Sequence, residues 1–343
     1  MKKLWLHSIK LYIQLGLFFY YKNIKVYNIE NVPKNKPVLL LSNHQNALLD
    51  ALLIAVKCGR FTYFLSRASI FKKSFISTIL NSLQMLPVYR IRDGWNTISN
   101  NTAIFESCSE LLNNNEAIVI FPEGNHNLNR TVRPLSKGFT RIVFNTLEKY
   151  PDIDLQLVPV GLNFMTAKQY PDCASVYFGK PIAAKTFISD NRNNDVVKLK
   201  TKIKAEISKL TTHISDEDYQ ESLQKLDALH LDYLNPKDVN TCIANNFESY
   251  KRKSKSKLNG LRSFLKGLLI LNLLLPYLIW KCAVQPKIKE PEFIATFRFT
   301  VAITLVPIYL LILIFVLSVL SSLKLALLYL ISVLLLSVLA IKL

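Results

Sequence analysis

Residues 37–50 read Pro-Val-Leu-Leu-Leu-Ser-Asn-His-Gln-Asn-Ala-Leu-Leu-Asp. The continuous apolar run over 37–42 is typical of a strand buried on both faces. Helix-forming residues follow over 47–57, and the turn between the two carries His44, with Asp50 in the first helical turns. A strand end followed by a helix start is where α/β folds build their sites.

Three further apolar runs have the length and flanking turn residues of buried strands: 61–65, 117–121 and 155–160. Helix-prone stretches lie between and after them: 69–83, 97–113 and 137–149. Strands that alternate with helices predict an α/β layer fold.

Both ends of the sequence have membrane character. An apolar run over 4–21, interrupted by Lys10 and Gln14, ends in bulky aromatic residues instead of a small-residue cleavage site. We therefore interpret it as an uncleaved helix at the membrane interface. Residues 299–320 and 325–341 carry no charge and predict a transmembrane hairpin.

A third segment, 263–280, is marginal, because it contains Lys266 and Pro276. It fits a span, a re-entrant segment or an interfacial one. The predicted organisation has four parts: an interfacial helix (1–30), a catalytic α/β domain (31–189), a charged helical region (190–258) and a C-terminal membrane region (259–343).

The net charge of +19 favours an anionic partner. Nucleic acid is disfavoured, because the chain carries membrane-grade helices and no zinc-finger or RNA-binding signature. The basic run over 250–257 indicates contact with anionic membrane lipid, with a solvated linker as the alternative. Its Lys and Arg count also predicts an integral membrane protein with the α/β domain on the cytoplasmic face.

The five cysteines form no C-x-x-C pair. Their odd number and irregular spacing predict neither a disulfide framework nor a zinc site. We find no cluster of metal ligands in the sequence and expect no metal and no cofactor.

Two polar turns carry the chemistry. A His such as His44 can deprotonate a hydroxyl, while a carboxylate such as Asp50 holds its tautomer. The sequence has no G-x-S-x-G nucleophile motif, so the base would act directly on an acceptor hydroxyl. A structural His is the alternative. The second turn is Phe-Pro-Glu-Gly-Asn-His over 121–126, and it also follows a predicted strand. The alternative interpretation is a simple strand-to-loop turn without a chemical role.

Together these turns resemble the phospholipid/glycerol acyltransferase family, which includes lysophosphatidic acid and glycerol-3-phosphate acyltransferases. The resemblance covers roughly residues 35–185 and rests on four blocks in order. They are Asn43-His44 with Asp50, Leu-Pro-Val-Tyr-Arg over 86–90, Phe-Pro-Glu-Gly over 121–124, and Val-Pro-Val over 158–160. It implies a mixed central sheet flanked by helices.

The resemblance implies roles for the matching residues. His44 would be the base that activates the acceptor hydroxyl, and Asp50 would orient it. Arg90 would hold the acceptor phosphate, a task suited to a planar, permanently charged fork. The remaining candidates for the acceptor site are Glu123, Gly124, Asn125, His126 and Lys137, with Arg92 and Arg133 as weaker phosphate contacts.

Two departures from the family pattern concern the acceptor and the base. Five residues instead of four separate His44 from Asp50, and one helical residue turns a side chain by about 100°. The extra residue must be absorbed before the helix for the two side chains to meet. Asn125-His126 also stands where many members have Thr-Arg. A subtype resembling fungal glycerol-3-phosphate/dihydroxyacetone-phosphate acyltransferases shares the longer spacing and lacks that Arg.

The expected function is transfer of a fatty acyl group from acyl-CoA or acyl-carrier protein to lysophosphatidic acid or glycerol-3-phosphate. One alternative is acylation of another lipid hydroxyl, of the aminolipid or lipid A type. The other is a non-catalytic membrane lipid-binding protein on the same fold, with His44 and Asp50 mispositioned by the longer spacing.

Overall fold

The computed structural model describes residues 2–89, 100–248 and 259–343, and a mixed sheet of eight strands lies at its centre. The strands are β1 (Tyr21–Tyr27), β2 (Val38–Ser42), β3 (Tyr63–Arg67), β4 (Met85–Val88), β5 (Ala117–Ile120), β6 (Gln156–Phe164), β7 (Asp172–Phe178) and β8 (Ile182–Ala183). Their order across the sheet is β1-β7-β6-β2-β5-β3-β4, and β8 pairs with β6.

Helices surround this sheet and extend beyond it. In the described part of the chain they are α1 (Lys2–Phe18), α2 (Ala47–Lys57), α3 (Ser74–Ser82), α4 (Asn100–Asn113), α5 (Gly138–Lys149), α6 (Arg192–Leu210), α7 (Tyr219–Ala228), α8 (Pro236–Ala244), α9 (Asn259–Asn272), α10 (Leu274–Leu278), α11 (Ile294–Leu320) and α12 (Leu323–Lys342). A π-helical stretch, Ile279–Val284, continues α10.

The predicted α/β architecture is confirmed, and the four apolar runs are β2, β3, β5 and β6. Strand β2 pairs in parallel with β5 and β6, and β3 pairs in parallel with β4 and β5. The sheet is mixed because β6 runs antiparallel to β7 and β8. The apolar runs did not predict the other four strands, β1, β4, β7 and β8.

Alternating residues of β2 supply two hydrophobic cores, one on each face of the sheet. Leu40 faces a core that also contains Leu53 of α2 and Phe299 of α11. Leu39 faces the other core, which contains Phe139 of α5, together with side chains of α4 and α6. Strand β2 is therefore buried on both sides, as its unbroken apolar run indicated.

The end of α6 lies directly on β6. A Cβ atom at Gly161 would overlap the backbone of Leu210, so this close approach requires glycine. Leu199, Ile203 and Ile207 of α6 are fully buried against the sheet. The first helix of the charged region thus forms part of the second core, while the exact domain boundaries stay predictions.

Two helices in the described residues are long and apolar enough to cross a membrane: the stretch Pro291–Leu320, which contains α11, and α12. They coincide with the predicted hairpin. The marginal segment 263–280 is broken, since the stretches Gly260–Asn272 and Leu274–Lys287 meet at 98°. If this bent pair is one span, the number rises to three.

Candidate active site

A hydrogen-bonded His-carboxylate pair lies at the carboxyl end of β2. The Nδ1 atom of His44 is 2.8 Å from Oδ2 of Asp50. The Asp50 side chain is fully buried, whereas that of His44 keeps 14% of its surface exposed. When Nδ1 carries its proton and donates it to Asp50, Nε2 is the ring atom left to accept a proton. The geometry is that of an oriented base.

A left-handed residue at the start of α2 accommodates the extra residue between His44 and Asp50. Ala47 has φ of +45°, a left-handed conformation that is uncommon for a residue with a side chain. The backbone N–H of Asn46 then donates to Oδ2 of Asp50 over 2.7 Å. Asp50 therefore reaches His44 despite the longer spacing, as the sequence required.

Side-chain amides fix the loop that carries His44. Asn43 donates to the carbonyl of Leu162 and accepts from the N–H of the same residue, at 2.9 and 2.8 Å. Gln45 donates to the carbonyl of Leu128, and Asn46 donates to that of Ala167. These bonds join the loop to β6 and to two neighbouring loops, so the base stands on a rigid support.

The two polar turns meet at the imidazole of His44. Its ring stacks on Phe121, with centroids 4.1 Å apart and planes inclined by 16°. His126 presents an edge to the same imidazole at 5.6 Å. On its other side, His126 meets the ring of Phe293 at 4.5 Å, just before α11. Phe293, just before α11, is therefore separated from His44 only by the ring of His126.

Glu123 is held by an arginine rather than aimed at solvent. Arg133 donates from Nε to Oε2 of Glu123 over 2.7 Å, and the glutamate side chain is only 3% exposed. Burial raises the pKa of the Glu123 carboxyl, although Arg133 and His44 act in the opposite direction. Oε1 of Glu123 is buried and has no hydrogen-bond partner among the described residues.

The same arginine shapes the turn that follows. Arg133 donates from Nη1 to Oδ1 of Asn125 over 2.5 Å and from Nη2 to the backbone carbonyl of Asn125. Gly124 turns the chain with φ of +80°. Arg133, expected as a weak phosphate contact or a surface charge, instead joins Glu123 to Asn125, and its guanidinium is occupied by these bonds.

The remaining predicted residues are Lys137, Arg90 and Arg92. Lys137 is exposed and immediately precedes α5. Arg90 and Arg92, as well as the basic run over 250–257, lie outside the described residues. Their predicted roles stay predictions.

A half-buried arginine lies beside the pair and was not selected from the sequence. Arg130 lines a small polar cavity together with Asn43, His44 and Glu123. Its guanidinium donates to the carbonyls of Phe164 and Met165, at 2.9 and 2.8 Å. No sequence motif distinguishes Arg130 from the other basic residues of the chain. Its partners, the two carbonyls and the ring of Tyr233 with its centroid 3.7 Å away, become visible only in three dimensions.

One group of side chains in the described residues could hold a metal ion. Ligand atoms of His126, Glu290 and Glu292 lie within 4.8 Å of one another. Glu290 is exposed and the other two are half-buried. Surface acidic groups of this kind are common without an ion, so the expectation that no metal takes part stays a prediction.

The chain is similar in sequence to known proteins. A family model described as Acyltransferase matches residues 23–163. Glycerol-3-phosphate O-acyltransferase 1 of Saccharomyces cerevisiae is 25% identical over 167 residues, which are 45% of this chain and 22% of that protein. A probable 1-acyl-sn-glycerol-3-phosphate acyltransferase of Mycoplasma pneumoniae is 29% identical over 151 residues, or 43% of this chain and 55% of that protein.

The chain thus spans about a fifth of one curated relative and about half of the other. Among solved structures, the 1-acyl-sn-glycerophosphate acyltransferase PlsC from Thermotoga maritima matches with a TM-score of 0.44 and 19% identity. The match covers 60% of this chain and 80% of that one.

Proposed function

We propose, from the match of residues 23–163 to the Acyltransferase family model, that the chain is a membrane-bound O-acyltransferase of glycerophospholipid synthesis. The donor is acyl-CoA or acyl-carrier protein, and the acceptor is lysophosphatidic acid or glycerol-3-phosphate. The observation that supports catalysis most directly is the 2.8 Å contact between His44 and buried Asp50.

In the proposed reaction, Nε2 of His44 takes the proton of the acceptor hydroxyl. The acceptor oxygen attacks the thioester carbonyl carbon, and the new C–O bond forms while the C–S bond breaks. The proton then passes from His44 to the leaving thiolate, which restores the neutral imidazole. Asp50 holds the proton on Nδ1 throughout and stabilises the imidazolium that forms during attack.

The acceptor site is proposed to lie beside the turn over 121–126. Glu123, Gly124 and Asn125 would shape it, supported by the bonds that Arg133 makes to this turn. His126 would contact the acceptor, because its ring stands 5.6 Å from that of His44. Arg90 would bind the phosphate, and Lys137 would be a secondary contact.

The catalytic domain is proposed to face the cytoplasm with the membrane helices anchoring it. The Lys and Arg count before the predicted hairpin supports this orientation. The position of α11 supports close contact with lipid, since it begins beside His126 and continues as an apolar helix. An acyl chain delivered from the bilayer would need only a short path to the base.

The test is acyl transfer by the full chain in detergent-solubilised membranes. Labelled long-chain acyl-CoA is offered with lysophosphatidic acid or with glycerol-3-phosphate, using wild type and His44→Asn. The matched control is His230→Asn. His230 is exposed and lies just after α7, and asparagine tolerates its left-handed backbone conformation.

We expect transfer to one of the two acceptors, lost in His44→Asn and kept in His230→Asn. Transfer only to an aminolipid or a lipid A precursor would replace the proposed acceptor class. No transfer from acyl-CoA or acyl-carrier protein to any of these acceptors, with folded protein, would leave the non-catalytic lipid-binding alternative.

A further inference from the structure

Four basic side chains from three distant parts of the sequence meet at the β1 edge of the sheet. They are Lys22 of β1, Arg262 and Lys266 of α9, and Lys342 of α12; we refer to them as the basic cluster. Lys22 and Arg262 donate to the same backbone oxygen, that of Leu343. Lys342 donates to the carbonyl of Tyr21 over 2.7 Å, which places it next to Lys22.

The positive charges of the basic cluster act on one another. Burial lowers the pKa of Lys22, and the nearby charge of Arg262 lowers it further. Arg262 also lies within electrostatic range of Lys266, whose ammonium donates to the carbonyl of Tyr170 over 3.1 Å. All four side chains are half-buried, so solvent screens their repulsion only in part.

No Asp or Glu side chain of the described residues forms an ion pair with any member of the basic cluster. Its acceptors there are the carbonyls of Tyr21 and Tyr170 and the oxygen of Leu343, the last described residue, which supplies at most one negative charge. One oxygen shared by Lys22 and Arg262 does not offset four positive charges. Four partly buried cations with at most one counter-charge are costly, and the cost falls when a further anion joins them. The arrangement therefore favours an anion supplied from outside the protein.

The location of the basic cluster indicates where that anion comes from. On α9, Phe264 and Leu261 are exposed at 63% and 49%, and on α12 Leu335 and Leu339 are exposed at 60% and 49%. An apolar surface thus adjoins the cations on both helices. A ligand with a negative head and an apolar tail satisfies both parts, whereas a soluble anion satisfies only one.

The basic cluster also lies at the same end of the sheet as the catalytic pair. Strand β1 runs antiparallel to β2, because β1 is parallel to β7, β7 is antiparallel to β6, and β6 is parallel to β2. The start of β1 lies beyond the end of β2, because Ser42 is level with Val160 and Phe178, whereas Tyr21 pairs with Asp172, six residues away along β7. At the usual strand dimensions this is about 20 Å along the strands and about 14 Å across them. A lipid bound there would be separate from His44 and Asp50.

We propose that Lys22, Arg262, Lys266 and Lys342 form a binding site for the phosphate headgroup of an anionic glycerophospholipid, separate from the catalytic pair. The phosphate oxygens accept from the guanidinium of Arg262 and the three ammonium groups. The acyl chains lie along the exposed apolar faces of α9 and α12. The site seats the membrane helices against β1 when such a lipid is present.

The test is lipid binding by the full chain, purified in a neutral detergent and followed by native mass spectrometry. Phosphatidylglycerol and phosphatidylcholine with identical acyl chains are titrated separately. The variants are Arg262→Gln on α9 and Lys342→Gln on α12. The matched control is Lys324→Gln, which removes an exposed lysine from the opposite end of the same helix α12.

We expect wild type to retain phosphatidylglycerol at lower concentration than phosphatidylcholine. Each cluster variant should weaken phosphatidylglycerol binding by roughly fivefold, since each Lys or Arg near an anionic headgroup contributes about that factor. Lys324→Gln should bind as wild type does. The charge-keeping variants Arg262→Lys and Lys342→Arg should also bind, so that a loss in the Gln variants reports charge and not misfolding.

Two outcomes overturn the proposal. The first is equal retention of both lipids by wild type, or an effect of the cluster variants no larger than that of Lys324→Gln. The second is displacement of phosphatidylglycerol by millimolar inorganic phosphate or glycerol-3-phosphate, which would make the site one for a free anion. Because binding is read without acyl transfer, the result is independent of the proposed enzyme activity.

Discussion

The backbone N–H of Leu48, in the first turn of α2, donates to the hydroxyl of Thr296 in α11 over 3.3 Å. The first turn of a helix has N–H groups that the helix itself does not satisfy. Here one of them is satisfied by the membrane hairpin, two residues before Asp50. Helix α11 therefore takes part in positioning the carboxylate of the catalytic pair.

Replacing Thr296 with valine should lower the rate of acyl transfer while leaving membrane association intact. The change keeps the shape of the side chain and removes one acceptor, a loss of about 1 kcal/mol. The control is Thr300→Val, because Thr300 is exposed and its hydroxyl donates within α11 to the carbonyl of Thr296. Acyl transfer and membrane partitioning are measured side by side. Equal rates in the two variants would show that the Leu48 contact has no positioning role.

Asp50→Asn should lower acyl transfer by roughly 10³- to 10⁴-fold, because an amide no longer fixes the proton on Nδ1 of His44. The amide keeps the volume of the buried side chain, and its oxygen can still accept from the N–H of Asn46. The measurement is kcat for the better acceptor, with the thermal denaturation midpoint as a check on folding. A folded Asp50→Asn variant with nearly unchanged kcat would contradict the proposed role.

Arg133→Met should destabilise the protein strongly, by about 3–5 kcal/mol, because it leaves a buried carboxyl without its partner. Glu123 is 3% exposed and bonded to Arg133 through two nitrogen atoms. The double variant Glu123→Gln/Arg133→Met removes both charges and should recover part of the loss. Denaturation midpoints of the two single variants and the double variant give the coupling. Additive effects would mean that the pair is not coupled in the folded protein.

Ala47→Gly should be neutral or stabilising by up to about 1 kcal/mol, since glycine adopts positive φ without the strain of a Cβ atom. Ala47→Val should lower both stability and acyl transfer, because a β-branched residue tolerates that conformation poorly. Denaturation midpoints and rates of both variants test this. A Val variant as active as the Gly variant would show that the turn does not position Asp50.

Stability should fall as the pH drops below about 6.5, the ordinary pKa of histidine. Burial and the charge of Lys204 lower the pKa of His213, whose Nδ1 accepts from the N–H of Val132. A histidine with a lowered folded-state pKa contributes fully above its unfolded pKa and loses that contribution as pH falls toward the folded value. The loss should stay below about 1 kcal/mol, because the ring is half exposed.

Denaturation midpoints at pH 7.5 and 5.5 test the role of His213. His213→Asn keeps an acceptor for Val132 and removes the titrating group, so its midpoint should change less between the two values. An identical pH response in wild type and variant would assign the effect to other residues.

The sequence predicted β2, β3, β5 and β6, because each coincides with a largely apolar run bounded by turn residues. It could not reveal β7, where polar and apolar residues mix and whose partner strand β1 lies about 150 residues away. For the site, the spacing between His44 and Asp50 indicated a compensating turn, and Ala47 supplies it. No feature of the sequence indicated the contact between Arg133 and Glu123, because a basic residue ten positions after a carboxylate is typical of an ordinary surface charge.

Phe299 and Ala295 of α11 belong to the same hydrophobic core as Leu40 and Leu53. During synthesis, the strands and α2 leave the ribosome well before α11 does. Until α11 arrives, that face of the sheet has an unfilled space where Phe299 belongs. We therefore expect the α/β domain to complete this core only after α11 has been made, so that folding of the domain is coupled to placement of the hairpin.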